Sequence, residues 1–388
     1  MMVFHPWVMS ESLVEPMKLT IERSTLLSAL NHVQSVVERR NTIPILSNIL
    51  LSAENGSLGL IATDLDLAIN EKVPAEIQSP GAITAPAHLL YDIVRKLPDG
   101  SQVELDYQSA DSRITVRAGR SQFALSCLPK DDFPIMETGE LPFNFSFPSA
   151  ELKRLIDKTR FAISTEETRY YLNGVYIHAA DNEGIPVLRA VATDGHRLAR
   201  VETPLPANAE NIPGVIIPRK AVNELRKLID DTEGDINISL SDNRICFTFD
   251  GTILTSKLID GTFPDYERVI PTGNNKVLEL DGKSFAQAVD RVSTVSTEKS
   301  RAIKLSLTDD TVTLSATGTD SGSATEELAA SYSSGDLEIG FNSKYLLDIT
   351  GQIEGTNAHF VLADAQSPTI VKDGTDDGAL YVLMPMRV

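Results

Sequence analysis

Cysteine is nearly absent from this chain, with two in 388 residues, Cys127 and Cys246. That excludes a disulfide framework and leaves buried thiols in a reducing cytosol as the expectation. Tryptophan occurs once. No apolar run approaches the roughly 18 residues needed to cross a bilayer, so a soluble, cytoplasmic chain with no membrane partner is expected. The six histidines, His5, His32, His88, His178, His196 and His359, are scattered without the H-x-x-x-H spacing of a zinc site. There is no G-x-x-x-x-G-K-[ST] loop, no G-x-G-x-x-G and no G-x-S-x-G elbow, so neither a metal nor a cofactor is expected. Positive charge is also in deficit, 35 Lys and Arg against 54 Asp and Glu, for a net charge of −19. Such a balance opposes tight wrapping of nucleic acid by the whole surface and leaves only local basic strips for that purpose.

What is there is a repeat. Residues 1–16 lack both a basic n-region and a long apolar core, so they are read as a disordered extension, or an upstream start ahead of Met17, and not as a signal peptide. Regular alternation begins at Met17. An apolar strand followed by an amphipathic helix then occurs three times, at Leu19–Ile21 with 24–37, Phe143–Phe147 with 149–163, and Val277–Leu280 with 283–295. The units are roughly 125–135 residues apart, an ordinary domain length. A second helix recurs in each unit, after Pro86, Pro218 or Asn342, in positions suited to helix starts. Strands of period two fill the intervals, for example Val103-x-Leu105-x-Tyr107 and Ile236-x-Ile238-x-Leu240. The pattern predicts an α+β chain of three tandem domains, 17–141, 142–272 and 273–388, each with two helices on one face of antiparallel sheet.

Basic residues recur on these helices away from the apolar stripes. Arg154 and Lys158 stand four apart, opposite Leu152, Leu155 and Ile156. Arg219, Lys220, Arg226 and Lys227 do the same against Val222, Leu225 and Leu228. Repeat arrays bind along a shared face, so these positions are expected to be solvated and to meet phosphates. Thr193-Asp194-Gly195-His196 suggests an acid–base pair at first sight. Its echo in Thr63-Asp64-Leu65-Asp66, one unit earlier, favours a turn over catalysis.

Several longer strings carry a resemblance. Thr-Asp-Gly-His-Arg-Leu (193–198), Arg-Tyr-Tyr-Leu-Asn-Gly (169–174), Thr-Ser-Lys-Leu-Ile-Asp-Gly-Thr-Phe-Pro-Asp-Tyr (255–266), Pro-Ile-Leu-Ser-Asn (44–48) and the terminal Met-Pro-Met-Arg (384–387) all resemble the bacterial DNA polymerase III beta subunit, the DNA sliding clamps. The likeness runs in order from residue 17 to residue 388. It implies a non-enzymatic, head-to-tail homodimeric ring that holds duplex DNA topologically, without sequence preference, with helices lining the hole and sheets outside. It also implies a clamp loader, the replicative polymerase alpha subunit and other proteins with a clamp-binding motif as partners.

Carried over residue by residue, the resemblance places a partner-peptide pocket at Arg169, Leu172, Thr193, Gly195, His196, Arg197 and Leu198. Pro264, Arg268, Val269, Asn342 and Tyr345 join it, with Met384, Pro385, Met386 and Arg387 from the tail. Here the aliphatic and Met side chains form an adaptable socket and the arginines orient peptide polar groups. DNA-facing positions are Arg40, Tyr170, Tyr171, Arg219 and Lys220, beside Arg154 and Lys158. The subunit interface is expected to set Phe123 and Leu125 against the segment of Thr294 and Val295, with Arg117 and Arg120 facing Glu326 and Glu327. Thr294 departs from the bulkier apolar residues usual there. Two other readings stand beside this one, a hydrolase using Asp194 and His196, and a repeat scaffold that does not bind DNA.

Overall fold

A computed structural model describes residues 16–108, 112–296, 301–318 and 322–388. The expected disordered extension therefore lies, but for Pro16, outside the described residues. The chain forms two compact units, the first running up to Glu140 and including Cys246–Ser256, the second made of Leu141–Ile245 and Lys257–Val388. Helices and antiparallel sheets alternate as the sequence pattern predicts. No helix among the described residues is long and apolar enough to cross a membrane.

Six α-helices form among the described residues, and their starts follow two local rules. Helices α1 (Arg23–Gln34), α5 (Gly282–Ser293) and α6 (Ser343–Thr350) are capped by Glu22, Asp281 and Asn342, whose side chains accept the N–H of Thr25, Ser284 and Lys344. These bonds satisfy donors that the first helical turn leaves orphaned. Helices α2 (Ala87–Lys96), α3 (Ser149–Asp157) and α4 (Arg219–Leu228) follow Pro86, Pro148 and Pro218. Each proline is the last residue of the strand before, which for Pro86 and Pro218 is one position earlier than the first-turn placement expected from sequence. Its fixed φ suits the extended N-cap, and its missing N–H is not needed there. Helix α3 is also shorter than expected. It ends at Asp157, and the Thr159 hydroxyl donates to the Leu155 carbonyl, 2.6 Å away, where the helical ladder stops.

In the first unit, α1 packs on α2. A five-stranded sheet runs in the order Glu76–Ser79, Met17–Glu22, Gln102–Gln108, Arg113–Ala118, Ser121–Ser126. Alternate residues of its central strands, Leu19, Ile21, Val103, Leu105, Ile114 and Val116, are buried. Burying each such side chain contributes about 1.5–3 kcal/mol, and the period of two puts them all on one face.

In the second unit, α3 packs on α4 and α5 on α6. One eight-stranded antiparallel sheet runs Val215–Pro218, Gly174–Asn182, Ile185–Thr193, Arg197–Pro204, Asp376–Leu383, Thr369–Asp373, Asn357–Leu362, Lys276–Asp281. Its centre is the pairing of Arg197–Pro204 with Asp376–Leu383, in the register Arg197 to Leu383 through Val201 to Ala379. That pairing joins the second sequence repeat to the third within one sheet.

Candidate functional site

The turn 193–197 leads into the central pair of strands. The Thr193 hydroxyl accepts the Gly195 N–H at 3.1 Å and donates to the Arg197 carbonyl at 2.7 Å. Asp194 Oδ1 accepts the His196 and Arg197 N–H groups at 2.9 and 3.0 Å. The same hydroxyl and carboxylate pattern closes the turn at Thr63 and Asp64. One Asp194 oxygen is thus spent on the turn, and the other takes the Arg197 guanidinium at 3.2 Å. The carboxylate makes the hydrogen bonds of a turn, not those of an acid–base pair with the His196 ring. Gly195 has φ of +87°, and a Cβ there would sit 2.5 Å from Arg169 Nη1, so glycine is favoured, although Leu65 holds the matching place of the first turn at φ of +79°.

Beside this turn lies a pocket of about 180 Å³ lined by Leu172, Thr193, Gly195, Arg197, Leu198, Pro264, Asp265, Tyr266, Val269, Val382 and Met384. Leu172, Leu198, Tyr266 and Val382 are part of a buried cluster that also holds Val191, Ile216, Phe263, Ile370 and Leu380. Leu172, Leu198 and Val382 form the apolar floor, and Tyr266 packs onto it from the 264–269 segment. Val269 and Met384 are exposed, at 47% and 38%, and make the adjustable rim. The Met384 N–H donates to the His196 carbonyl at 2.9 Å, which fixes the start of the tail beside the turn.

Of the residues expected at a pocket, Leu172, Thr193, Gly195, Arg197, Leu198, Pro264, Val269 and Met384 come together there. His196 and Tyr345 stand alongside, stacked with ring centroids 6.1 Å apart. The tail divides. Pro385, Met386 and Arg387 line a separate open groove with Glu338, Gly340 and Gln366, and the Met386 N–H bonds the Gly340 carbonyl at 2.8 Å. The Asn342 side chain is occupied in capping α6.

The expectation that the arginines orient a ligand needs correction at Arg197. Its guanidinium is buried and donates to Asp194, Asp348 and the Phe161 carbonyl. It also lies 4.5 Å from the centre of the Tyr345 ring and 5.2 Å from that of Phe161. It ties the turn to α6, and only its flank meets the pocket. Arg169 makes a two-point pair with Glu166, at 2.8 and 2.7 Å, which raises the arginine's pKa further and lowers that of the glutamate. Arg268 is largely exposed and paired with Asp265 at 2.6 Å. Sequence reasoning missed Asp265, Tyr266 and Val382 as lining residues. Val382 had a usable signal, since it stands two residues before Met384 and so on the same side of an extended chain.

The basic helix positions also need correction. Lys158 is buried, with Nζ 2.9 Å from Asp376 and 3.4 Å from Glu354. Arg154 donates to Asp376 at 2.6 Å and to the Glu202 carbonyl at 3.0 Å. Arg226 bridges Asp157 and Asp230, whereas Lys227 pairs with Glu224 but stays 62% exposed, as expected. Helical spacing placed Arg154 and Lys158 off the apolar stripe correctly, but the space opposite is filled by the chain's own carboxylates. Arg40, Tyr170 and Arg219 are exposed, whereas Tyr171 and Lys220 are half-buried. Arg219 and Lys220 open α4, where the helix dipole disfavours cations.

At the expected subunit interface, Ser121–Ser126 is an edge strand of the first unit, with Phe123 37% exposed and Leu125 buried. In the second unit Gly322–Ala329 is an edge strand. Thr294 is not on a strand. It caps the C-terminus of α5, and its hydroxyl donates to the Asp290 carbonyl. Arg117 is bonded to Glu104 and Asp106, and Glu326 is held by Arg291 at 3.0 and 2.5 Å, so both already have partners within their own units.

Comparison with known proteins accounts for this arrangement. The N-terminal, central and C-terminal domain profiles of the DNA polymerase III beta subunit match residues 17–137, 146–265 and 267–387. The beta sliding clamp of Caulobacter vibrioides is 56% identical over 372 residues, covering 96% of this chain and all of that protein. That of Escherichia coli is 38% identical over 375 residues, again covering 96% and 100%. Among solved structures, the Caulobacter crescentus clamp crystallised with polyethylene glycol superposes with a TM-score of 0.94 at 55% identity, over 97% of this chain and all of that one. The Bartonella birtlesii clamp bound to griselimycin gives 0.93 at 51%, over 96% and 100%. Three profiles matched in order, with relatives aligned along their whole length, place the chain in the DNA polymerase III beta subunit family, the bacterial beta sliding clamps.

Proposed function

We propose that the chain acts as the non-catalytic processivity subunit of a replicative DNA polymerase. Two copies close head to tail around duplex DNA, and the ring tethers polymerase, clamp loader and repair proteins. Membership of the clamp family supports the ring reading, and the apolar pocket beside the 193–197 turn supports the tethering reading. The pocket's rigid floor and its Met and Val rim suit a short peptide with aliphatic and aromatic anchors. On this reading the repeats are 17–141, 142–272 and 273–388, and the setting is the cytoplasm, where replication occurs.

A net charge of −19 is compatible with a ring. Topology supplies retention, so the inner surface needs only weak phosphate contacts, and an acidic exterior keeps DNA off other faces. Arg40, Arg219 and Lys220, with the exposed Tyr170, are the DNA-facing residues on this reading. Phe123 and Leu125 of one copy would meet the Thr294 and Val295 region of the next. The test is retention after loading on closed circular and on linear DNA. The protein is expected to stay on the circle and leave the linear molecule, and equal retention on both would sink the ring.

A further inference from the structure

Behind the pocket lies a polar network that the tethering function alone does not call for. Arg189, on the Ile185–Thr193 strand, is 4% exposed. Its Nε donates to Glu202 at 2.7 Å, and Glu202 is itself buried on the neighbouring strand. Its Nη1 donates both to the Tyr266 hydroxyl at 2.8 Å and to Glu267 at 2.6 Å. The Tyr266 hydroxyl also lies 3.0 Å from His178 Nε2.

The direction of these bonds follows from the acceptors. His178 Nδ1 is 2.9 Å from the Ala179 carbonyl, which can only accept, so Nδ1 carries the proton. Nε2 then accepts from the Tyr266 O–H, which leaves the phenol oxygen to accept from Arg189. The chain Arg189 to Tyr266 to His178 to Ala179 is complete only with a neutral imidazole. Burial, with the Arg189 charge nearby, keeps His178 below the usual imidazole range.

Tyr266 and Glu267 belong to the segment 264–269, which supplies Pro264, Asp265, Tyr266 and Val269 to the pocket. That segment is a 3₁₀ turn in the connection between the strands Thr252–Lys257 and Lys276–Asp281, and it has no ladder of its own. The Arg268 to Asp265 pair is internal to it, and the backbone bond from Ile270 N–H to the Glu267 carbonyl reaches only the next residue of the chain. The Arg189 bonds cross from this wall to the two strands that carry the floor residues Thr193 and Leu198.

We propose that Arg189 is a positioning residue for the pocket: through Tyr266 and Glu267, with His178 as the hydroxyl's acceptor, it latches the 264–269 wall to the floor without touching the bound peptide. The latch rests on the peptide-pocket reading above and is testable apart from it. Arg189 itself is a poor target, because its removal takes the nearest cation from the buried Glu202 carboxylate, which keeps only Arg200 at 3.4 Å and Asn182 at 2.9 Å, and so mixes two effects. Tyr266→Phe deletes only the hydroxyl, and Glu267→Gln alters a carboxylate that is 64% exposed.

Two readouts on the full-length dimer decide the matter. The first is tryptic cleavage after Arg268, whose side chain is 84% exposed within the wall. In the double variant it should accelerate roughly tenfold, the worth of about one net hydrogen bond, while cleavage at other sites keeps its rate. The second is dissociation of a fluorescent peptide carrying Gln followed by Leu and Phe, expected to be about five- to tenfold faster in each variant with little change in association. Unchanged cleavage after Arg268 overturns the latch. Accelerated cleavage with unchanged peptide dissociation overturns its role in shaping the pocket. A wild-type protein that fails to bind the peptide overturns the pocket reading, and cleavage after Arg268 still decides whether the latch exists.

Discussion

Lys158 Nζ lies 2.9 Å from Asp376 Oδ2, so a lysine at the end of α3 is neutralised by a carboxylate 218 residues further along the chain. Arg154, one helical turn earlier, takes the other oxygen of the same carboxylate at 2.6 Å. The two cations fasten α3 to the start of the Asp376–Leu383 strand, whose far end carries Val382 and leads into Met384 at the pocket. Asp376→Ala should therefore destabilise the protein by about 3–5 kcal/mol, because two largely buried cations lose their main partner. Equilibrium urea unfolding measures this. A decrease smaller than about 1 kcal/mol would mean that the pair is not holding the helix.

Acid should weaken the same region, and the sign is fixed by the depressed carboxylates. Burial alone would raise the pKa of Asp373. The N–H groups of Thr375, Gly355 and Glu354 and the Thr375 hydroxyl outweigh it and bring the carboxyl down to about 2. Asp376 is likewise held low by Lys158 and Arg154 against its burial. A carboxyl with a lowered folded-state pKa stabilises the fold above its unfolded value, near 3.9, and that contribution disappears as the pH falls toward 2. Thermal unfolding between pH 5 and pH 2 should show a falling midpoint, and Asp373→Asn should flatten the dependence.

Gly195→Ala should cost roughly 1–3 kcal/mol through the left-handed backbone alone. It should also push Arg169 off its place against the turn, since the added Cβ would stand 2.5 Å from Nη1. Melting temperature and peptide affinity should both fall. Normal peptide affinity in a folded variant would separate this turn from the pocket.

Val269→Asp places a charge on the exposed rim of the pocket, where the fold tolerates it. Peptide affinity should drop at least about tenfold, as at an interface anchor, with a melting temperature close to wild type. Fluorescence anisotropy reads the first and calorimetry the second. Undiminished affinity would place the peptide elsewhere.

Charge reversal should sort the basic residues into two groups. Arg40→Glu with Arg219→Glu alters exposed side chains, so retention on circular DNA should weaken while stability stays unchanged. The salt dependence of retention should become shallower, by roughly one in slope for each phosphate that is no longer neutralised. Arg154→Glu with Lys158→Glu should instead unfold or severely destabilise the protein before any DNA effect can be read.

Much of this molecule was legible in its sequence because the signals are local. Periods of two and 3.6 fix strands and helices through the geometry of neighbouring residues, so the six helices, and strands such as Gln102–Gln108 and Asp235–Leu240, could be placed from pattern alone, whereas the strands around the pocket were not. The Thr-Asp turns were likewise readable, since their hydrogen bonds close within four residues. The pocket's Leu172, Leu198 and Met384 came from the likeness of ordered strings to a family. Only the tertiary structure decided the fate of the charges. Whether Lys158 meets solvent or Asp376, and whether Arg197 reaches a ligand or spends its donors on Asp348 and Phe161, depends on residues 36 to 218 positions apart. Helical spacing names the face on which a charge lies but not what the chain later brings opposite it. The same limit hid Tyr266 and its latch, because no local pattern joins a tyrosine in a connecting segment to an arginine 77 residues away.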